Sequence, residues 1–431
     1  MAGPVRTCVK TSAGWTQPPL LPSHVRDRKT CMTTTEQTTE SVRGALPFAT
    51  AAFAFLVTMM GTTMPTPIYA FYMQAYGLSQ LWVTVIYAIY AGGVVAALLI
   101  TGTWSDQIGR KPPLFAGLAF ALASSLLFAV SQGLGAILLA RLLSGLSAGI
   151  FASTATAMIM DLVPLGREKL GVLTATAANM GGLGLGPMLA GVVANGAAAP
   201  MVTPYLIHAA LLCIAGLLLV TVPESVARVA RPDLSPQRPA LPREVVPAFI
   251  PAALLALAAF MVAGFYSAVV PGFLSKVMGL HSPALIGVLT GFFFICSTLG
   301  QALATHLPAR GQLGQSCAML IVGVGTVAVA FQGEWLALLT VGTLTTGMGH
   351  GFVFRSGLGA LGQAAPAHRR GGVIALYFVV CYLAISVPVI GVGLLSAALP
   401  LKPVSVGFAA LSVAFSFAAL LWLRRGAVAR P

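Results

Sequence analysis

Twelve runs of about 20 mostly apolar residues determine how this chain can fold. Numbered 1 to 12 in chain order, the spans lie near residues 46–73, 80–103, 112–131, 134–160, 170–194, 204–222, 246–272, 283–306, 313–331, 335–360, 371–397 and 404–423. Only 8% of the residues are charged, against about 25% in an ordinary soluble domain. Such a chain cannot cover a water-facing surface. The sequence therefore predicts an all-α membrane protein with twelve transmembrane helices in a lipid bilayer.

The positive charges are concentrated in alternate loops. If the N-terminus is cytoplasmic, twenty of the 24 Lys and Arg residues lie in cytoplasmic segments, and only Lys276 and Lys402 lie in outside loops. The remaining two, Arg141 and Arg355, lie within spans. This distribution follows the positive-inside rule. It predicts a cell-membrane (inner-membrane) protein with both termini cytoplasmic, and it explains the net charge of +14 without a nucleic-acid partner.

A long loop rich in Arg and Pro divides the spans into six and six. The sequence predicts a disordered cytoplasmic tail at residues 1–45 and an N-terminal six-helix bundle at 46–222. A cytoplasmic linker at 223–245 leads to a C-terminal six-helix bundle at 246–423, and a cytoplasmic tail follows at 424–431. Met32 is an alternative start, so the sequence leaves open whether residues 1–31 belong to the mature protein.

The two halves repeat short motifs at a constant offset. Gly77-Leu78-Ser79 and Gly279-Leu280-His281 follow the first span of each half, 202 residues apart. The segments 164–167 and 366–369 both run from Pro to Arg, follow the fourth span of each half and have the same offset. The shared offset favours a duplicated unit, so we expect two parallel six-helix repeats.

The stretch Gly102–Lys111 (GTWSDQIGRK) is a short charged turn between spans 2 and 3. Asp106 and Arg110 are four residues apart, so their side chains can pair on one helical turn. Gly102 would let another helix approach closely, and Gly109 would let the chain reverse where a Cβ would clash. A compact charged turn at a membrane face indicates a latch.

This turn resembles the cytoplasmic signature between helices 2 and 3 of the major facilitator superfamily of transporters. The typed positions of that signature are occupied by Gly102, Asp106, Gly109, Arg110 and Lys111. The resemblance implies a twelve-helix fold in which spans 1, 4, 7 and 10 surround one cavity and the two halves alternate access to it. It also implies that these five residues form a cytoplasmic gate, in which Asp161, at the end of span 4, joins Asp106 and Arg110.

Span 5 contains the run GGLGLGPMLAG. Small residues permit close packing of helices, and a proline bends a helix. The run resembles the superfamily motif of antiporters, Gly-x-x-x-Gly-Pro-x-x-Gly-Gly, with Ala190 in place of the first glycine of the final pair. On this resemblance we favour efflux over uptake, the alternative being a generic packing face. The motif residues are Gly182, Gly186, Pro187 and Gly191.

Span 1 carries Pro65 and Pro67, which resemble the Pro-x-Pro signature of drug/proton antiporters. Prolines free backbone carbonyls and kink a membrane helix, which is tolerated where the helix borders a cavity. Tyr69 could then line the substrate path. The alternative for the nearby tyrosines is a belt at the membrane interface.

Three further residues in the spans are candidates for a substrate cavity or for coupling. Arg141, in span 4, is the deepest charge by position and would be costly without a partner; its context Arg-x-x-x-Gly resembles the superfamily's helix-4 motif. The alternative is a structural arginine held by carbonyls of span 1.

His350, in span 10, is a candidate proton carrier because its reference pKa is near 6.5. The alternative is that His350 is a packing residue. Arg355 lies five residues further on and could extend its charge towards the interface.

None of the ten acidic residues lies at mid-membrane depth, which weakens the case for a proton-coupled antiporter. No P-loop, CxxC motif or Cys/His cluster occurs, so we expect no cofactor and no metal.

The first hypothesis for the function is proton-coupled efflux of a small organic compound, and the second is a uniporter or symporter for an anionic metabolite. A receptor or intramembrane enzyme is the third, and we expect no enzyme activity. The expected partners are a small-molecule substrate and protons, with a monomer as the functional unit.

Overall fold

The apolar runs form helices throughout the part of the chain that the computed structural model describes, residues 44–306, 311–366 and 369–428. Twelve of these helices are long and apolar enough to cross a membrane, which confirms the prediction. They are Ala45–Tyr76, Gln80–Thr101, Lys111–Ala129, Leu134–Leu162, Glu168–Gly196, Thr203–Thr221, Arg243–Ala268, Pro283–His306, Gln312–Gly333, Leu336–Ala364, Arg370–Leu395 and Leu401–Arg424. The predicted tail at 1–45 lies outside the described residues except for its last two.

The predicted boundaries lie within about four residues of the observed ones because proline and glycine mark the turns. Pro204 and Pro283 lie in the first turns of spans 6 and 8, where the missing N–H has no intrahelical partner. Gly77 ends span 1 with a φ of 62°. The last helix continues to Val428, through the first residues of the predicted C-terminal tail.

Span 1 is interrupted where the sequence places its two prolines. An α-helix over Ala45–Thr63 is followed by a 3-10 turn, Thr66–Ile68, and a second α-helix, Tyr69–Tyr76. Pro67 has no N–H to donate to the carbonyl four residues before it, so the helix cannot continue unbroken. Span 7 is likewise followed by a short helix, Val270–Lys276.

The bundle has two ends, which we name the Arg110 end and the Lys276 end. Span 2 runs from Gln80, at the Lys276 end, to Thr101, at the Arg110 end. Its 22 residues cover about 33 Å. The two ends are therefore separated by the full thickness of a bilayer core.

Two helix crossings join the first six spans to the last six. Span 5 packs on span 8, where a Cβ added to Gly191 would lie 3.1 Å from the Cα of Gly287. Span 2 packs on span 11, where a Cβ added to Gly393 would lie 3.0 Å from the Cα of Leu81. Glycine lets backbones approach this closely without a steric clash. These crossings bring the candidate residues of both halves into one bundle.

Candidate functional site

Arg110 is the centre of an ion cluster at the Arg110 end. Its guanidinium donates from Nε to Asp161 Oδ2 at 3.0 Å and from Nη1 to Ser105 Oγ at 2.9 Å, and Nη1 also donates to Asp106. Burial opposes the charge on Arg110, but the hydrogen bonds and charges of Asp161 and Asp106 outweigh it and raise the pKa of the guanidinium. The structure thus brings together Asp106, Arg110 and Asp161 of the predicted gate.

Glu224, directly after span 6, adds a carboxylate that sequence analysis missed. Its Oε1 accepts from the backbone N–H of Arg110 at 2.7 Å, and its Oε2 accepts from that of Lys111 at 3.0 Å. These N–H groups lie at the N-terminus of span 3, where a negative charge is favourable. Lys111 Nζ in turn donates to the Val222 carbonyl at 2.8 Å, next to the end of span 6. An acid immediately after an apolar span is the sequence signal for this contact.

Both glycines of the turn lie against residues that follow span 6. Gly109 reverses the chain with a φ of 92°, and a Cβ there would lie 2.6 Å from Glu224 Oε2. At Gly102, where the sequence suggested another helix, the neighbour is the linker. A Cβ at Gly102 would lie 2.7 Å from Gln237 Oε1, because the linker crosses just beyond the end of span 2.

The linker contacts both halves of the bundle at the Arg110 end. The backbone N–H of Gln237 donates to the Leu99 carbonyl of span 2 at 2.7 Å. Three residues later, the N–H of Ala240 donates to the Gly372 carbonyl, in the first turn of span 11, at 3.3 Å. The segment between spans 6 and 7 is therefore a bridge between spans 2 and 11 at this end.

Arg141, two turns into span 4, is fully buried. Its Nη1 donates to the Thr62 carbonyl at 2.5 Å, and its Nη2 donates to the Tyr69 hydroxyl. The two acceptors lie on either side of the break in span 1. Its Nε has no hydrogen-bond partner among the described residues. The broken helix therefore provides one acceptor for each Nη atom of this buried guanidinium, and the Nε–H has none among the described residues.

Three tyrosine rings surround the Arg141 guanidinium. Its Cζ lies 5.6 Å from the ring centroid of Tyr69, 5.7 Å from that of Tyr87 and 5.8 Å from that of Tyr90. Aromatic faces attract a cation, and the attraction is larger where water is excluded. Sequence analysis missed Tyr87 and Tyr90, although their spacing of three residues places them on one face of span 2.

The glycine of the Arg-x-x-x-Gly pattern places span 4 against span 2. A Cβ on Gly145 would lie 3.0 Å from the Cα of Gly93 and 3.1 Å from the carbonyl carbon of Tyr90. Because Gly145 has no side chain, the two backbones cross closely. Arg141, one helical turn earlier, is thereby held beside the tyrosines of span 2.

The four motif residues of span 5 face two different helices. A Cβ on Gly182 would lie 2.6 Å from the Cβ of Met59, in span 1, and Gly186 lies against the same helix one turn further on. Gly191 lies at the crossing with Gly287, in span 8. Span 5 is therefore packed between span 1 of the first half and span 8 of the second.

Pro187, the fourth motif residue, creates a contact that holds span 5 to span 1. It has no N–H, so the carbonyl of Leu183, four residues earlier, lacks its helical donor. Thr63 supplies the replacement, because its Oγ1 donates to the Leu183 carbonyl at 2.7 Å. A buried carbonyl freed by one helix is thus satisfied by a side chain of its neighbour.

We expect Thr63→Val to destabilise the protein by about 1–3 kcal/mol, because the Leu183 carbonyl would be buried without a donor. Thermal unfolding of the purified protein measures the loss. Thr58→Val is the matched control, since the Thr58 hydroxyl bonds to the carbonyl of Ala54 in its own helix at 2.8 Å. Equal destabilisation by the two variants would contradict the role given to Thr63.

His350 is buried against span 8 and between two aromatic rings. Its Nδ1 lies 2.8 Å from Ser297 Oγ, and its ring centroid lies 4.8 Å from that of Phe260 and 5.4 Å from that of Phe293. Its Nε2 has no hydrogen-bond partner among the described residues. One ring nitrogen of this buried histidine is therefore left without a partner among the described residues. Arg355 is half-buried on the same helix and is not among these contacts.

His208, in span 6, is buried in a different way. Its Nε2 lies 2.8 Å from the Val57 carbonyl, which can only accept, so Nε2 carries the proton. Its Nδ1 lies 2.7 Å from Ser125 Oγ and accepts from that hydroxyl in the neutral ring. Both nitrogens are satisfied, so His208 is a packing residue of the first half.

With this geometry in view, comparisons with known proteins identify the family. The family model described as Major Facilitator Superfamily matches residues 51–389. This chain belongs to the Major Facilitator Superfamily, whose members are membrane transporters.

Individual relatives match only parts of the chain. The quinolone resistance protein NorA of Staphylococcus aureus is 25% identical over 143 residues, which cover 33% of this chain and 37% of that protein. The multidrug resistance protein MdtL of Shewanella oneidensis is 36% identical over 88 residues, or 20% of this chain and 22% of that protein. The matched part therefore spans well under half of either relative.

Solved structures share the fold over nearly the whole chain. A crystal structure of the peptide transporter POT in complex with sulfate superposes with a TM-score of 0.74 at 16% identity, covering 90% of this chain and 98% of that one. A POT family transporter in complex with a thioalcohol-conjugated peptide gives a TM-score of 0.69 at 11% identity, over 88% and 96% of the two chains. At such low sequence identity, these superpositions show that the fold is shared.

Proposed function

We propose that this transporter is a secondary active carrier that expels a small organic compound from the cell in exchange for protons. It would act by alternating access in the cytoplasmic membrane, with both termini cytoplasmic and the Arg110 end inside. The observation that carries the proposal is the position of span 5. One helix with a proline bend contacts span 1 of the first half and span 8 of the second through glycines.

This packing supports movement of the halves against each other. At the crossing of spans 5 and 8, the backbones approach closely at Gly191 and Gly287 with no side chain between them, so this point can act as a pivot for tilting of the halves. The names of the partial relatives, a quinolone resistance and a multidrug resistance protein, favour outward transport of organic compounds.

The two ends of the bundle would then have separate roles. At the Arg110 end, the Asp106, Arg110, Asp161 and Glu224 contacts would act as a gate that stabilises the state closed to the cytoplasm. Arg141, Tyr69 and His350 would face the substrate path or the coupling proton. Substrate binding would shift the equilibrium between two pre-existing states.

Transport in vesicles tests this proposal directly. Purified protein in proteoliposomes with an imposed pH gradient should accumulate a quinolone, or another member of a panel of small organic compounds, against its concentration gradient. Dissipating the gradient with a protonophore should stop the uptake. A carrier that moves no compound of the panel under a pH gradient, and whose deletion leaves drug sensitivity unchanged, would exclude the proposal.

His350 is the proposed proton carrier, since no Asp or Glu lies within the central part of a described span. The side chains that contact its ring, Ser297, Phe260 and Phe293, carry no charge, so protonation of His350 would add an isolated positive charge among them. We expect His350→Gln to remove the pH dependence of the transport rate, measured from pH 5 to pH 8.

The matched control for this variant is His208→Gln. Both nitrogens of His208 are hydrogen-bonded, so its replacement should lower the unfolding temperature and leave the shape of the pH profile unchanged. A pH profile that survives in His350→Gln would assign coupling to another group, Asp106 first.

Transport of an anionic metabolite by uniport or symport is the second candidate function. Arg141 favours it, because this buried cation has no carboxylate partner among the described residues. Unaltered affinity for organic anions in Arg141→Ala would count against it.

A further inference from the structure

A cavity of about 340 Å³ opens at the Lys276 end, between the short helix that ends span 1 and the short helix that follows span 7. Its apolar wall includes Met73, Leu78, Val83 and Pro271. This volume lies within the range of small-molecule sites, which are largely apolar with a few polar groups that fix orientation. The cavity is therefore large enough for the body of a small organic molecule.

One positive charge borders this cavity. Lys276, the last residue of the helix Val270–Lys276, is on the wall, and no Asp or Glu lines the cavity with it. Partial burial lowers the pKa of its ammonium group. Lys402, the other described lysine at this end, pairs with Glu334 at 2.8 Å, whereas Lys276 has no carboxylate within ion-pair distance among the described residues. Lys276 therefore has no negatively charged partner among the described residues, and a bound anion could supply one.

A second polar group, from span 2, borders the same cavity. Gln80 is on the cavity wall and is only 8% exposed. Its Nε2 donates to the Ala268 carbonyl at 2.9 Å, but its Oε1 has no hydrogen-bond partner among the described residues. A Cβ on Gly272 would lie 2.7 Å from that Oε1, and Gly272 precedes Lys276 by four residues on one helix. The unpaired acceptor therefore lies beside the helix that carries Lys276, one turn before that residue.

Tyr69 connects this cavity to Arg141. Its ring borders the cavity, and its hydroxyl accepts from Arg141 Nη2. Two cations are therefore associated with the same space, Lys276 on its wall and Arg141 hydrogen-bonded to the lining residue Tyr69.

We propose that this cavity is a binding site for an organic carboxylate with an apolar body, with the carboxylate on Lys276 and the body against the apolar wall. Gln80 Oε1 would accept from an N–H or O–H of ligands that carry one. The site lies at the opposite end of the bundle from Arg110, and its occupancy does not depend on the direction of transport.

Binding of 1-naphthoate to the purified protein, measured by isothermal titration calorimetry without a pH gradient, tests the site. The uncharged analogue 1-naphthamide should bind at least tenfold more weakly than 1-naphthoate. Lys276→Gln should weaken naphthoate binding at least tenfold, and Lys276→Arg should restore most of it. Lys402→Gln, which removes a lysine already paired with Glu334, should leave the affinity unchanged.

A labelling experiment locates the ligand. In a protein whose six native cysteines are replaced by serine, a single cysteine in place of Ser275, on the cavity wall, should react with a charged thiol reagent, and naphthoate should slow the reaction. Equal binding of acid and amide, unchanged affinity in a folded Lys276→Gln protein, or no protection of the cysteine would each overturn the proposal. Because no transport is measured, a failure here is distinct from a failure of the efflux proposal.

Discussion

Arg141→Lys should reduce the transport rate at least about tenfold while the protein remains folded. The guanidinium of Arg141 donates through separate nitrogens to the Thr62 carbonyl and the Tyr69 hydroxyl, and three tyrosine rings surround it. An ammonium is a compact point charge that cannot reproduce this planar arrangement. Each hydrogen bond to a charged group contributes about 1.5–3 kcal/mol, and about 1.4 kcal/mol corresponds to a factor of ten.

The rate should be measured in proteoliposomes and divided by the amount of monodisperse protein. Tyr69→Phe separates the two kinds of contact, because it keeps the ring beside Arg141 and removes only the hydroxyl. Its transport rate should lie between those of the wild type and Arg141→Lys. A wild-type rate in Arg141→Lys would show that charge alone is needed and that the tyrosine arrangement has no role.

Arg110→Ala should reduce turnover about tenfold or more and leave substrate affinity unchanged, because Arg110 lies at the end of the bundle. The replacement leaves Asp161 and Asp106 without their cation and removes three side-chain hydrogen bonds. Turnover in proteoliposomes and substrate affinity by calorimetry provide the two readouts. Lys402→Gln, which breaks the exposed pair with Glu334 at the other end, is the control and should behave as wild type.

The two acidic partners of Arg110 differ in how much of each side chain is exposed, and this predicts which contributes more to turnover. The Asp106 side chain is 63% exposed and that of Asp161 is 31% exposed, and Asp161 also accepts from Ser225 Oγ at 2.8 Å. Exposed ion pairs contribute little, so Asp106→Asn should impair turnover less than Asp161→Asn, and both less than Arg110→Ala. An Asp106→Asn defect as large as that of Arg110→Ala would contradict this ranking.

Most of the fold could be predicted from the sequence because hydrophobic length and turn residues act locally. Runs such as 283–306 match the observed span 8, since Pro283 begins the helix and a run of that length must cross a bilayer. The cluster of Asp106, Arg110 and Asp161 was also predictable, because the family signature fixes which residues meet.

The missed contacts depend on tertiary packing. Glu224 lies 114 residues from the Arg110 N–H that it accepts from, and Tyr87 and Tyr90 approach Arg141 only because Gly145 and Gly93 let two helices cross. No periodicity within one helix specifies such a crossing. The Lys276 cavity was missed because Lys276 lies in a predicted outside loop. No sequence feature there distinguishes a lysine on a cavity wall from a lysine in solvent.

Alternating access is tested most directly by paired distance measurements at both ends of the bundle. Spin labels at the exposed residues Glu168 and Gln363 report on the Arg110 end, and labels at Ser79 and His281 report on the Lys276 end. Between apo and substrate-bound protein in nanodiscs, one distance should lengthen by several ångströms while the other shortens. Distances that stay fixed, or that change in the same direction at both ends, would contradict a rocking motion of two bundles.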